Sequence, residues 1–175
     1  MLKVFTTLQR INPYHPLVKY IPALHQVNGS DSHHGLHSLI KDCQYYNHDH
    51  QYRLAQWEVC RELYWDPVMS FTYQHHLHYP ITKGQLYDTI INFGNLDILT
   101  RPLNHLLPSH GGNEINWLKA FLDLKEYHIT KIDLSLNDGQ PDRVLLWRQI
   151  LQSGNIELKR PLMNLTCYGD TFNLW

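Results

Sequence analysis

Apolar residues recur three and four apart in one stretch of this chain after another, a rhythm that commits it to packing helices. Leu2, Val4, Phe5, Leu8 and Ile11 share one face, and Pro13 with Pro16 ends that element. Leu17 to Val27 reads as a second short helix, stopped by the turn signal Asn28-Gly29-Ser30. Tyr52, Ala55, Val59 and Leu63 mark a third over Gln51 to Tyr64, and Asp66-Pro67 breaks it or opens the next. Pro80, tolerated in a first turn, opens a helix that runs through Tyr87, Ile90 and Ile91 to Gly94. Gly111-Gly112-Asn113-Glu114 caps a strong helix carrying Ile115, Leu118, Phe121 and Leu122. The last helix spans Pro141 to Leu151 and closes at Ser153-Gly154-Asn155. Strand signals are few. Ile129 to Leu136 alternates and predicts a short strand, and the tail after Asn155 has room for another. With no repeat, low-complexity tract or linker, the expectation is one mainly helical domain over residues 1–175.

Composition removes several function classes. Lys plus Arg (15) balances Asp plus Glu (16), so the chain has no basic footprint for nucleic acid. No apolar run approaches the roughly 20 residues of a membrane helix. Met1-Leu2-Lys3-Val4-Phe5 is no signal peptide, which predicts a cytoplasmic protein if the chain is made as written. Cys43, Cys60 and Cys167 stand apart, and Cys60 falls on an apolar helix face as a small buried hydrophobe. Histidines cluster in His48-Asp49-His50 and His75-His76-Leu77-His78. A metal site needs three or four converging ligands with ordered partners behind them, so these read as surface histidines, with no metal or other cofactor expected. Asp133 to Gly139 has the glycine one place late for a calcium loop and reads as a turn. Nucleophile-elbow, phosphate-loop and dinucleotide fingerprints are absent. Eleven Tyr and five Trp exceed what a small core requires. Trp57, Trp117 and Trp147, at helical spacing, are predicted to be core, while Tyr64, Trp65 and Tyr87 are candidates for a sugar-binding groove.

Four blocks then stand in order along the chain. The first is Leu17 to Leu36, with Lys19-Tyr20, Pro22-Ala23-Leu24, Val27-Asn28-Gly29-Ser30 and Ser32-His33. The second holds Ala55-Gln56 and Tyr64-Trp65-Asp66-Pro67 and leads on to Leu86-Tyr87-Asp88-Thr89-Ile90. The third is Gly111-Gly112-Asn113-Glu114 with Phe121-Leu122-Asp123. The fourth joins Asp142-Arg143-Val144, Gly154 to Leu158 and Tyr168-Gly169-Asp170. In this order and at nearly this spacing they resemble the family 46 glycoside hydrolases, the secreted chitosanases.

That resemblance implies a mainly α, lysozyme-like α+β fold of two lobes with a cleft between them. It implies endo-hydrolysis of β-1,4 links in chitosan by inversion. One carboxylic acid protonates the leaving oxygen and one carboxylate activates water, about 6.5–9.5 Å apart. The implied partners are chitosan and glucosamine oligosaccharides, and the implied location is extracellular. In the family both catalytic carboxylates come from a segment ahead of the helix that matches residues 1–11. Neither therefore has a counterpart in this sequence, and most of the N-terminal catalytic segment is expected to be missing. A start codon placed at an internal methionine, or a disrupted gene, would account for it. What the resemblance carries over is a supporting network of an Asp and two Arg, matched by Asp88, Arg143 and, with lysine for arginine, Lys125. It also implies Tyr64, Tyr87, His33, Asp133 and Asp138 as substrate-binding positions. The expected activity of the chain alone is nil. The alternatives are a non-catalytic chito-oligosaccharide-binding remnant and one half of a split enzyme. Apolar surface on residues 2–11 and around the Asp88 helix is expected to lie bare and to invite association.

Overall fold

The computed structural model describes residues 1–132 and 140–175, and helices carry most of them, as the periodicity predicts. The chain divides into two compact units, Met1–Asp66 and Pro67–Trp175. The first begins with α1 (Leu2–Ile11), which buries Phe5 and Leu8 completely. A 3₁₀ turn (Pro16–Tyr20) follows, started by the His15 Nδ1, which accepts from the Leu17 N–H at 3.1 Å. The helix expected over Leu17 to Val27 is split. Pro22 has no N–H to give to a preceding turn, so α2 (Ile21–Val27) starts with that proline in its first turn. α3 (Leu39–Tyr45) and α4 (His50–Cys60) complete the unit, and Asp49 caps α4 through Oδ1 to the Tyr52 N–H at 2.8 Å. A π-helical turn (Arg61–Trp65) ends it.

Phe5, Leu8, Leu17, Tyr20, Leu24 and Tyr52 form the heart of this unit's core, with Phe5 edge-on to Tyr52 at 6.1 Å. Leu2, Val4 and Ile11 are half-buried against the same cluster. The bare apolar face expected on residues 2–11 is therefore absent, because α4 and the 3₁₀ turn pack on α1. The polar side of α1 is tied to the same neighbour and the turn after it, by Arg10 to Glu58 and by Lys3 to Glu62 at 2.7 Å.

The second unit holds α5 (Asp66–Gln74), opened by Asp66-Pro67, and α6 (Pro80–Phe93), whose C-terminal Gly94 takes the left-handed conformation at φ 76°. α6 buries Ile81, Leu86 and Ile90, so little apolar surface is bare here either, Ile91 being the exception at 44% exposure. After α7 (Asp97–Thr100) come 3₁₀ turns at Arg101–Leu106 and Pro108–His110. A side chain at Gly112 would fall 1.8 Å from the Leu106 carbonyl oxygen, which fixes glycine there. α8 (Glu114–Tyr127) is capped by Asn113 Oδ1, accepting from the Asn116 N–H at 3.1 Å.

The strand expected from Ile129 is overturned over its described part. Residues His128–Ile132 form a π-helical turn, and the rest lies outside the described residues. Lys125, His128 and Ile129 are buried while Ile132 is 58% exposed, a helical spacing that outweighs the short alternation. α9 (Gln140–Gln152) packs on α6, α8 and the hairpin of β1 (Leu162–Cys167) and β2 (Asp170–Leu174). The hairpin turns on Tyr168 and Gly169, both at positive φ, the geometry of a two-residue turn that matches strand twist.

Candidate functional site

Three helices of the second unit each contribute one charge to a single cluster. Asp88 lies on the third turn of α6, Lys125 near the end of α8, and Arg143 in the first turn of α9. Lys125 Nζ donates to Asp88 Oδ2 at 2.7 Å and to Thr89 Oγ1 at 3.1 Å. Arg143 Nε donates to Asp88 Oδ1 at 2.9 Å, and its Nη2 reaches the same oxygen. Asn92, one turn on from Asp88, adds a bond to Oδ2 at 3.3 Å. The lysine side chain is fully buried, Asp88 nearly so, and Arg143 keeps 28% of its side chain exposed.

Burial gives the two cations different fates. Loss of water pushes the Lys125 ammonium below the ordinary lysine range, against the upward pull of Asp88's charge and hydrogen bond. Burial also works against the Arg143 charge, but the hydrogen bond and charge of Asp88, joined by Tyr168, outweigh it and raise its pKa. Lysine therefore supplies a sequestered anchor, and the half-open guanidinium is the group able to act on something beyond the cluster.

Arg143 and Asp88 face a pocket of about 360 Å³ between α9 and the hairpin. Trp147, Tyr168 and Phe172 supply aromatic walls, and Asp170 adds a second carboxylate. Trp147 can lie there because residue 84 is glycine: a Cβ at that position would sit 2.6 Å from its ring. Cys167 also lines the pocket, but burial, then Asp142, raises its thiol, so it is no activated nucleophile. Apolar rings beside carboxylates suit an aminosugar, whose pyranose face stacks while its ammonium pairs.

The structure thus brings Asp88, Lys125 and Arg143 together. Tyr87, one residue before Asp88, is half-buried on α6. Tyr64 and His33 belong to the first unit: Tyr64 is half-buried in the π-helical turn, and His33 is exposed with Nδ1 on the Asp31 carbonyl at 2.8 Å. Asp133 and Asp138 lie outside the described residues. Two core assignments are corrected. Trp117 is fully buried, but Trp57 is 64% exposed and Trp147 only half-buried, because α4 turns the Trp57 side outward and α9 aims Trp147 into the pocket wall. Cys60 is half-buried rather than buried, at the end of α4 where cover thins. Among the described residues no group of three or more His, Cys, Asp or Glu could hold a metal ion, and no helix is long and apolar enough to cross a membrane. Sequence reasoning did not assign Trp147, Phe172 and Asp170 to a site. The Tyr168-Gly169-Asp170 block was the one signal that could have found the hairpin wall.

Comparison with known proteins follows the same lines. The model of glycosyl hydrolase family 46 matches residues 1–162. A chitosanase of Streptomyces sp. strain N174 is 30% identical over 182 residues, covering 98% of this chain and 64% of that protein. A chitosanase of Bacillus subtilis strain 168 is 26% identical, covering 92% of this chain and again 64% of its own length. The chain thus spans 64% of the length of these curated relatives. Among solved structures, a Gynuella sunshinyii chitosanase in complex with chitotetraose superposes with a TM-score of 0.84 at 29% identity, covering 99% of this chain and 78% of that one. A native chitosanase of Bacillus subtilis MY002, at 23% identity, shares the fold with a TM-score of 0.87 over 99% of this chain and 78% of its own.

Proposed function

Because the chain belongs to glycosyl hydrolase family 46, we propose that its residues serve the hydrolysis of internal β-1,4 links in chitosan by inversion. In this reading Asp88, Lys125 and Arg143 are the charge network that holds and tunes a catalytic acid. The observation that carries it is the asymmetry of the cluster. Lys125 is sealed in, while Arg143 keeps part of its guanidinium open toward the pocket. A cation so placed favours the ionised form of a neighbouring carboxyl and lowers its pKa, and Asp88 sets how strongly it does so. Trp147, Tyr168, Phe172 and Asp170 would take one glucosamine unit, the rings stacking and the carboxylate pairing with the ammonium. In this reading residues 1–175 supply the charge network and the sugar-binding wall rather than the acid and the base, so these residues by themselves are expected to release no reducing ends from chitosan. Incubating the purified 175-residue polypeptide with chitosan and assaying reducing ends tests this; turnover at the rate of an ordinary chitosanase would sink it.

The aromatic and carboxylate lining of the pocket also favours a second reading, binding of glucosamine oligomers without turnover. Calorimetry with glucosamine tetramers tests it, and the reducing-end assay separates it from turnover. Binding that weakens by about 1.5–3 kcal/mol on Asp170→Asn supports it, the range for hydrogen bonds to charged groups. No heat at millimolar ligand rules it out.

A further inference from the structure

Away from the ion cluster, the end of α5 presents a second concave site. The helix closes with two bonds, Leu77 N–H to the Thr72 carbonyl at 2.9 Å and His76 N–H to the Tyr73 carbonyl at 3.4 Å. This paired closure ordinarily places glycine at the left-handed residue. Here that residue is His76, at φ 58°. A side chain in this backbone region is strained, and such strain concentrates where a ligand site requires it. His76 stands on the wall of a pocket of about 380 Å³, with His78 and Lys83 beside it, Met69 as half-buried apolar surface, Tyr73 as an exposed ring and Leu77 buried beneath.

The pocket has one sign of charge. No carboxylate is among its lining residues. The His76 and His78 side chains are exposed and Lys83 is half-buried. Glu114, the acidic residue that holds this loop, is buried with both oxygens occupied, by the N–H groups of His78 at 2.7 Å and Tyr79 at 2.9 Å. His75 turns away to Ser109 Oγ at 3.0 Å, with the His110 ring 6.4 Å from its own. A polyammonium sugar chain would be repelled here, so the site is no extension of an aminosugar cleft.

We propose that this pocket binds a small organic oxyanion, Lys83, His76 and His78 donating to its charged oxygens while Met69 and Tyr73 take the apolar face of a sugar ring. A phosphorylated sugar and a sugar acid present the same chemistry. Calorimetric titration of the 175-residue chain with glucose 6-phosphate, glucuronate and uncharged glucose tells them apart. The expected result is a Kd of about 1 mM or lower for one of the two acids and no detectable heat with glucose. His76→Gly carries the sharper test, because relieving the left-handed strain should raise the melting temperature while affinity falls about tenfold or more. Lys83→Met should lose affinity to a similar degree without a change in melting temperature. Absence of heat with both acids at about 10 mM, or a His76→Gly variant that binds as tightly as the parent, overturns the proposal.

Discussion

Two carboxylates in this molecule each hold a lysine at the same distance, and the two lysines shift in opposite directions. In the first unit Asp42 Oδ2 takes Lys19 Nζ at 2.7 Å and the Tyr20 hydroxyl at 2.7 Å. In the second Asp88 takes Lys125 Nζ at the same 2.7 Å, together with Arg143. The lysine of the first cluster is 58% exposed and that of the second fully buried. Asp42's hydrogen bond outweighs the slight desolvation of Lys19 and raises its pKa, whereas desolvation outweighs Asp88 and lowers that of Lys125. Equal contact distance therefore does not mean equal energetics. Water around the pair decides the sign, because a buried ion must recover from its partners all that hydration supplied.

The largest expected effect follows from removing the charge at Asp88. Asp88→Asn keeps the shape but leaves the Lys125 ammonium buried with Arg143 as its charged neighbour, so a loss of about 3–5 kcal/mol is expected. Urea denaturation followed by circular dichroism measures it. A loss under about 1 kcal/mol, the scale of exposed pairs, would break the contrast between the two clusters.

How much of this was legible beforehand depends on the range of the interaction. The helix of Pro80 to Gly94 could be read because its signals are local: proline at the start, glycine at φ 76° at the end. The same holds for Asn113 at the start of α8, where one side chain caps its own helix. The Asp88, Lys125 and Arg143 cluster came from resemblance, since residues 37 and 55 positions apart leave no periodic trace. Ile129 failed as a strand because a short alternation and a helical turn share their first few positions, and only the burial of Lys125 beneath it separates them. Trp147 failed as core for a similar reason. Its spacing is helical, but its surroundings are set by the absence of a side chain at Gly84, 63 residues earlier.

A smaller effect sharpens the comparison through pH. The folded chain holds its Lys125 proton less tightly than the unfolded chain. Between that lowered pKa and the ordinary 10.5 the unfolded state therefore binds more protons, and stability rises as pH climbs. Lys19 has the opposite sign: its contribution is fully present below 10.5 and is lost as pH rises through the raised folded value. Urea midpoints measured across the alkaline range should show Lys125→Met abolishing a rise and Lys19→Met abolishing a fall. Identical alkaline slopes in the two variants would show that burial is not what distinguishes them.

The smallest effect belongs to Asp42. Its carboxyl lies below the ordinary 3.8, through the hydrogen bond of Lys19 first and of Tyr20 second. Its contribution is therefore present above 3.8 and is lost as pH falls through the lowered value. Asp42→Asn should shift the melting temperature near neutral pH several-fold less than Asp88→Asn. The amide can still accept from Tyr20, and Lys19 can turn its ammonium to water, an escape that Lys125 does not have. Added salt should shrink the Asp42 effect further and leave the Asp88 effect almost unchanged, since screening reaches exposed charges and not buried ones. Equal shifts for the two variants would mean that the Asp42 cluster is sealed from solvent as tightly as its counterpart, and the different pKa directions of the two lysines would then need another cause.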